Sequence, residues 1–258
     1  NECSVINPTS VFDRRYGPYP PTCSAEDAGG GSAVNVYRPL HVTFSSRDLG
    51  WTHTGRWTQR SLNFVSRRAV ESLPSRPDLV YRHFLYHAGF AASRIADSFG
   101  CPAVVGVGES SPWTLEAFGV GVARTHFENH GYFLANSTSN KKMLINLLEI
   151  SPTRILVESN GVDPSRMYPR DRKEMRKKHG MGADEFLVAF VGTNETRKGP
   201  ERVVEAIDGL AGVRCILAGR RTESIESARI VRGGPVTHDV VPELLSCADL
   251  FVLPTTSE

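Results

Sequence analysis

Val191-Gly192-Thr193-Asn194-Glu195-Thr196-Arg197-Lys198-Gly199 decides the reading of this chain. It follows an apolar run, Phe186-Leu187-Val188-Ala189-Phe190, and precedes a segment, about 201–210, with apolar residues at helical spacing. A buried strand, a glycine, a polar loop and a helix in that order make a β–α unit. Glycine lets the backbone approach a phosphate closely. The helix start beyond it offers free N–H groups and the positive end of its dipole. Arg197 and Lys198 add charge suited to a diphosphate. The spacing is not that of the P-loop, G-x-x-x-x-G-K-[ST], and alone the segment reads equally well as a solvated loop.

The same alternation extends to both sides. Before the loop, strands are expected at 79–81, 103–107, 132–135 and 154–158. Helices are expected around Leu62 to Val70, at 88–99 (stopped by Gly100), at about 113–128 and from a Ser137 or Ser139 cap to Leu148. After the loop come a strand at 213–217, a helix at 240–248 and a strand at 250–253. Such alternation implies a doubly wound α/β fold with mostly parallel sheets. The turn Asn160-Gly161-Val162-Asp163-Pro164 interrupts the pattern and divides the chain into two Rossmann-like domains, 1–161 and 162–258. Residues 1–35 show little periodicity. Tyr16-Gly17-Pro18-Tyr19-Pro20-Pro21 and Gly29-Gly30-Gly31-Ser32 read as loop, and a short strand is expected from Val34 to Pro39.

A length of 258 residues suits two such domains. A net charge of +2 is too balanced to suggest nucleic acid, and no apolar run approaches the roughly 18 residues of a membrane span. The five cysteines form no C-x-x-C pair, and Cys101, Cys215 and Cys247 read as small core residues. A reduced, cytoplasmic setting fits. The basic segment 170–178 reads as a solvated helix face, with peripheral contact at an anionic lipid surface as a lesser reading. His179 and His238 read as surface residues. No His/Cys/Asp cluster has metal-ligand spacing.

Two further segments bear on chemistry. Val252-Leu253-Pro254-Thr255-Thr256-Ser257-Glu258 places a carboxylate just past an apolar run. At the carboxyl edge of an open sheet, where ligands bind, Glu258 could accept hydrogen bonds from sugar hydroxyls. The run 213–218 ends on Gly219, with Arg220-Arg221 beyond it, which suits an anion or simply a solvated end.

In order and spacing over residues 77–258, several motifs together resemble family 4 of the glycosyltransferases. They are Asn160-Gly161-Val162-Asp163, the Gly192 to Gly199 loop, the Gly219-tipped strand, Gly234-Pro235-Val236-Thr237-His238, and Pro254 to Glu258. The resemblance implies a GT-B fold and a retaining transfer of sugar from a nucleoside-diphosphate sugar, UDP- or GDP-linked, to a saccharide or lipid-linked acceptor. No metal or other cofactor is implied. Lys198, with Arg197, would neutralise the diphosphate. Glu258 would lie near the transferred sugar, and Gly192, Thr193 and Gly219 would shape the donor pocket. On the acceptor side Glu109 or Ser110 would stand in for the family's sugar-contacting histidine, and His83, which follows an apolar strand, could face the cleft.

The sequence also departs from the family. Thr193 stands where an arginine is frequent, and Gly106-Val107-Gly108-Glu109 replaces a His-Gly pair. The expected opening strand and everything beyond the first glutamate of the family's paired-glutamate motif are not in the sequence. It is therefore read as a fragment, and one expected to be inactive by itself. A non-catalytic nucleotide-sugar-binding module and a GT-B sugar-nucleotide epimerase are the rival readings.

Overall fold

The computed structural model describes residues 3–12, 23–27, 33–45, 47–109, 115, 119–128 and 130–256. Asn1–Asn160 and Gly161–Glu258 each form a compact unit.

The first unit opens with five short strands: β1 (Ser4–Ile6), β2 (Thr9–Ser10), β3 (Cys23–Asp27), β4 (Ala33–Tyr37) and β5 (Leu40–His41). β4 pairs with β1 in parallel and with β3 antiparallel, and β2 pairs with β5. β4 matches the short strand expected from Val34, whereas β1, β2, β3 and β5 lie where no strand was expected. Strands of two to five residues carry too few positions to show a period of two, and their partners are supplied from elsewhere in the chain. The two Gly/Pro-rich stretches, Tyr16 to Pro21 and Gly29 to Ser32, lie outside the described residues.

Helix α1 (Gly55–Glu71) buries Thr58, Gln59, Leu62, Ser66 and Val70, one face of a 3.6-residue period. A four-stranded parallel sheet follows, ordered β6 (Val80–His83), β7 (Ala103–Val107), β8 (Tyr132–Ala135) and β9 (Ile155–Val157). Its crossovers carry α2 (Phe90–Phe99), α3 (Val120–Phe127) and α4 (Thr138–Leu148). Gly100 ends α2 at φ 67°, a left-handed position that favours glycine. The Ser137 hydroxyl caps α4 by accepting the Asn140 N–H at 3.1 Å. Val105, Val107, Phe127, Phe133, Ala135, Leu144 and Leu148 fill the core between sheet and helices. Each large apolar side chain so buried contributes roughly 1.5–3 kcal/mol.

The second unit runs α5 (Arg172–Lys178), β10 (Phe186–Val191), α6 (Pro200–Ile207), β11 (Val213–Ala218), β12 (Ile230–Gly234), α7 (Val241–Cys247) and β13 (Leu250–Phe251). Its strands are all parallel, in the order β12-β11-β10-β13. One sheet face packs Val188, Phe190, Cys215 and Leu217 against Val203 and Ile207 of α6. The other packs Leu187, Ala189, Ile216 and Ala218 against Leu244 and Cys247 of α7. Burial on both faces explains why β10 and β11 read as continuous apolar runs. β12 was not anticipated, since Ile-Val-Arg-Gly-Gly carries two glycines and a charge and owes its strand conformation to its pairing with β11.

The basic helix also departs from expectation. The Arg176 side chain is buried and donates to Cys247 O (2.9 Å), Ala183 O (2.7 Å) and Asp249 Oδ2 (2.7 Å), so α5 is not a uniformly solvated face. His179 is not a surface residue either, because its ring is largely covered and pairs with Glu243 at 2.9 Å.

Candidate functional site

In a parallel sheet every strand points the same way, so all the loops that leave the strands gather on one edge. In the second unit those loops begin at Gly192, Gly219, Pro235 and Val252. The chain steps from β10 out through β11 to β12, then returns to place β13 on the far side of β10. Strand order therefore reverses between β10 and β13. The crevice at such a switch point is where open α/β sheets bind ligands.

Two glycines at this edge bring the loops after β10 and β11 into contact. The N–H of Gly192 donates to Ala218 O at 2.8 Å, and that of Gly219 to Gly234 O at 2.9 Å. A side chain on Gly219 would overlap the carbonyl of Gly192, so the backbones approach this closely only with glycine at 219. Beside them, Asn194 N–H donates to Arg220 O at 2.9 Å and joins the two loops. Buried Thr222 closes the second loop. Its hydroxyl lies 2.7 and 2.8 Å from the Leu217 and Gly219 carbonyls and accepts from Gly234 N–H at 2.8 Å.

Residues 195–199 turn back sharply, with Lys198 and Gly199 N–H both donating to Glu195 O, at 2.9 and 3.0 Å. The turn lays the aliphatic stem of half-buried Lys198 across Gly192. No carboxylate pairs with Lys198 among the described residues. Arg197 is exposed, its guanidinium 4.0 Å from the Glu195 carboxylate, a separation too long and too wet to hold it. Gly199 stands at φ 63° ahead of Pro200, the first residue of α6. The structure thus brings Gly192, Thr193, Arg197, Lys198 and Gly219 to one edge. Glu258 lies outside the described residues. Thr256, two positions earlier, donates its N–H to Arg197 O at 2.9 Å.

The first unit carries its own group at the carboxyl edge of β6 and β7. His83 Nδ1 is 2.8 Å from the Tyr81 hydroxyl, and this exposed pair lies over Gly106, where a side chain would collide with both. The Glu109 carboxylate is turned inward. One oxygen accepts the Leu85 N–H and the other the Gly108 N–H (3.0 Å), so it ties the β6 and β7 loops together. Ser110 lies outside the described residues. Between β6 and α2 the backbone takes left-handed values at Phe84 (φ 70°) and His87 (φ 52°). Non-glycine residues rarely sit there, and they do so mostly at functional sites. Gln59 of α1 supports this turn. It donates to His87 O at 2.8 Å and faces His87 Nδ1 at 3.0 Å. Burial, reinforced by nearby His41, pushes the His87 imidazole down to about 4. Among the described residues no group of three or more His, Cys, Asp and Glu is placed to hold a metal ion, and no helix is long and apolar enough to cross a membrane.

Sequence reasoning missed Arg202 and Thr222. Arg202 carried a signal, being a cation in the first turn of the helix, where the dipole disfavours positive charge. Thr222 carried none, since its role arises only when β11 and β12 pair.

Two Rossmann-like α/β units with parallel sheets are the architecture of GT-B glycosyltransferases, and the comparisons agree. Sucrose-phosphate synthase from Thermosynechococcus elongatus superposes with a TM-score of 0.71 at 14% identity, covering 98% of this chain and 65% of that one. Anabaena Alr3699/HepE in complex with UDP gives 0.60 at 18% identity, over 84% and 61%. In sequence, the D-inositol 3-phosphate glycosyltransferases of Mycobacterium tuberculosis and Mycobacterium bovis are 33% identical over 140 residues, 48% of this chain and 29% of theirs. The chain is therefore homologous to glycosyltransferases, and the matching stretch spans under a third of those relatives' length. No protein-family model matches the chain.

Proposed function

We propose that the protein containing this chain transfers a sugar from a nucleoside-diphosphate sugar to a saccharide or lipid-linked acceptor, with retention at the anomeric carbon. The observation that carries the proposal is the crevice at the β10–β13 reversal. There Gly192 follows β10 beneath the aliphatic stem of Lys198, and the Lys198 ammonium has no carboxylate partner among the described residues. In the reaction the bond between the anomeric carbon and the diphosphate oxygen breaks, the acceptor oxygen bonds that carbon, and the acceptor proton leaves with the diphosphate. Negative charge grows on the leaving group, so a fixed cation beside it stabilises the transition state more than the ground state. Lys198, assisted by Arg197 and by N–H groups near the start of α6, would supply that field.

The UDP-bound neighbour favours UDP as the nucleotide, with GDP as the other candidate. Residues after β6 and β7, including His83 and Glu109, would border the acceptor. Peripheral contact with an anionic membrane surface would suit a lipid-linked acceptor. Turnover of UDP- and GDP-sugars by wild type and Lys198→Ala tests the reading. The expected loss in transfer rate is ~10²-fold or more; an unchanged rate would remove Lys198 from the mechanism.

A further inference from the structure

Arg202 is a cation in the first turn of α6, where the helix dipole disfavours positive charge. Side chains on a helix lean toward its N-terminus. Arg202 follows that lean and folds back over Gly199, so closely that any side chain at 199 would overlap its guanidinium. There it makes four hydrogen bonds to backbone carbonyls. Nε and Nη2 donate to Pro254 O at 3.2 and 2.7 Å, Nη1 to Thr196 O at 3.1 Å, and Nη2 also to Arg197 O at 3.1 Å. A fifth bond runs alongside, from Thr256 N–H to Arg197 O at 2.9 Å. One planar fork thus gathers the carbonyls of the loop that carries Arg197 and Lys198 and the carbonyl of the segment leaving β13. These are the two loops that flank the switch-point crevice.

We infer that Arg202 is the positioning residue that holds the Lys198 loop and the 254–256 segment in register across the candidate donor crevice. The inference rests on the function proposed above for its ligand, but not for its geometry. Arg202 has committed four of its five N–H donors to carbonyls, so it acts on a bound diphosphate through the loops. Without it, the Thr196 and Pro254 carbonyls lose their donor, and the tie between the two loops rests on Thr256, whose N–H and hydroxyl both donate to Arg197 O. Lysine could satisfy one of these carbonyls and could not bridge them.

Two measurements on the full chain test this. Amide hydrogen exchange reads the geometry without a ligand. In Arg202→Ala and Arg202→Lys the Lys198, Gly199 and Thr256 amides should exchange faster, more so in the alanine variant, while those of β10 and β11 keep wild-type protection. Calorimetric titration with UDP reads the consequence. Binding to Arg202→Ala should weaken about 10- to 100-fold, the scale on which small misplacements of positioned groups act. Adding Arg202→Ala to Lys198→Ala should cost almost nothing more, because the loop then has no ammonium left to place. Unchanged exchange at these three amides, or losses that add in full in the double variant, would overturn the inference. Wild type that binds neither UDP nor GDP would instead overturn the proposed function, with the exchange result still deciding the role of Arg202.

Discussion

Gly219 and Gly192 meet backbone to backbone at the ends of β11 and β10, with no space for a side chain on Gly219. The contact exists because glycine follows β11: a side chain there would meet the Gly192 carbonyl. Gly219→Ala should therefore force the two loops apart. Overpacking of this kind costs about 1–3 kcal/mol, and it falls on the loops that would face the diphosphate. The expected outcome is weakened UDP binding by calorimetry, together with faster amide exchange in β10 and β11. Gly209→Ala meets nothing within 4 Å and serves as the control.

Glu109 was picked out in the sequence as an acceptor-side group, and its carboxylate accepts two backbone N–H groups. A glutamine in its place keeps one acceptor oxygen and presents an amide N–H to the other donor. Glu109→Gln should lower the stability of the first unit by about 1–2 kcal/mol, the scale of a lost hydrogen bond to a charged group, reduced for partial exposure. All three tryptophans, Trp51, Trp57 and Trp113, belong to the first unit. Denaturant titration followed by tryptophan fluorescence therefore reads this loss separately from the second unit.

These two cases show what the sequence discloses. The doubly wound alternation was legible because core strands such as β7, β8 and β10 are apolar runs bounded by glycine or polar residues, and their spans match the expected ones. Caps were legible too, since Ser137 and Gly100 act through local backbone geometry. What could not be read was whatever depends on a distant partner. β1 and β3 owe their conformation to β4, and β12 to β11. Arg176 is buried because Cys247, Ala183 and Asp249 offer it acceptors, and no local pattern announces that. The candidate site divides the same way. Gly192, Lys198 and Gly219 stand out in the sequence, whereas the direction in which Glu109 turns and the span that Arg202 bridges appear only in three dimensions.

The first unit should lose stability in mild acid. Burial holds His87 down to about 4, and His126, which bonds buried Ser93 and is also repelled by Arg94, down to about 4 as well. An unfolded histidine titrates near 6.5. The folded values lie lower, so the unfolded chain takes up protons first as pH falls. Stability is then full above about 6.5, declines between about 6.5 and 4, and levels off below that as far as these two groups are concerned. Tryptophan-monitored unfolding midpoints measured from pH 7.5 to 4 should show the decline. His126→Asn, which cannot titrate, should flatten it. A midpoint independent of pH across this window would show that neither ring is held neutral.

The second unit should fail in acid for a different reason, centred on Asp249. Its carboxylate accepts the Leu187 N–H at 2.8 Å and pairs with Arg176 and Arg172, each at 2.7 Å. Burial alone would raise its pKa, but the Leu187 N–H and the two guanidinium groups outweigh burial and hold it below the ordinary carboxylate value. A folded pKa below the unfolded one contributes stability that is present above the unfolded value, near 4, and lost as pH falls through the folded one. The two arginines differ in what their removal does. Arg172 is half exposed and its pair with Asp249 sits in water, so Arg172→Ala should cost under about 1 kcal/mol. Arg176 is buried and fixed by carbonyls, so Asp249→Ala leaves a buried cation without its counter-charge and should cost about 3 kcal/mol or more. Amide exchange in β10, which starts beside Asp249 and runs to Gly192, measures both. If the two variants lower β10 protection equally, the burial of Arg176 plays no part in the stability of this unit. If Asp249→Ala lowers it far more, the ion pair at the amino edge of the sheet supports the strand whose other end forms the crevice.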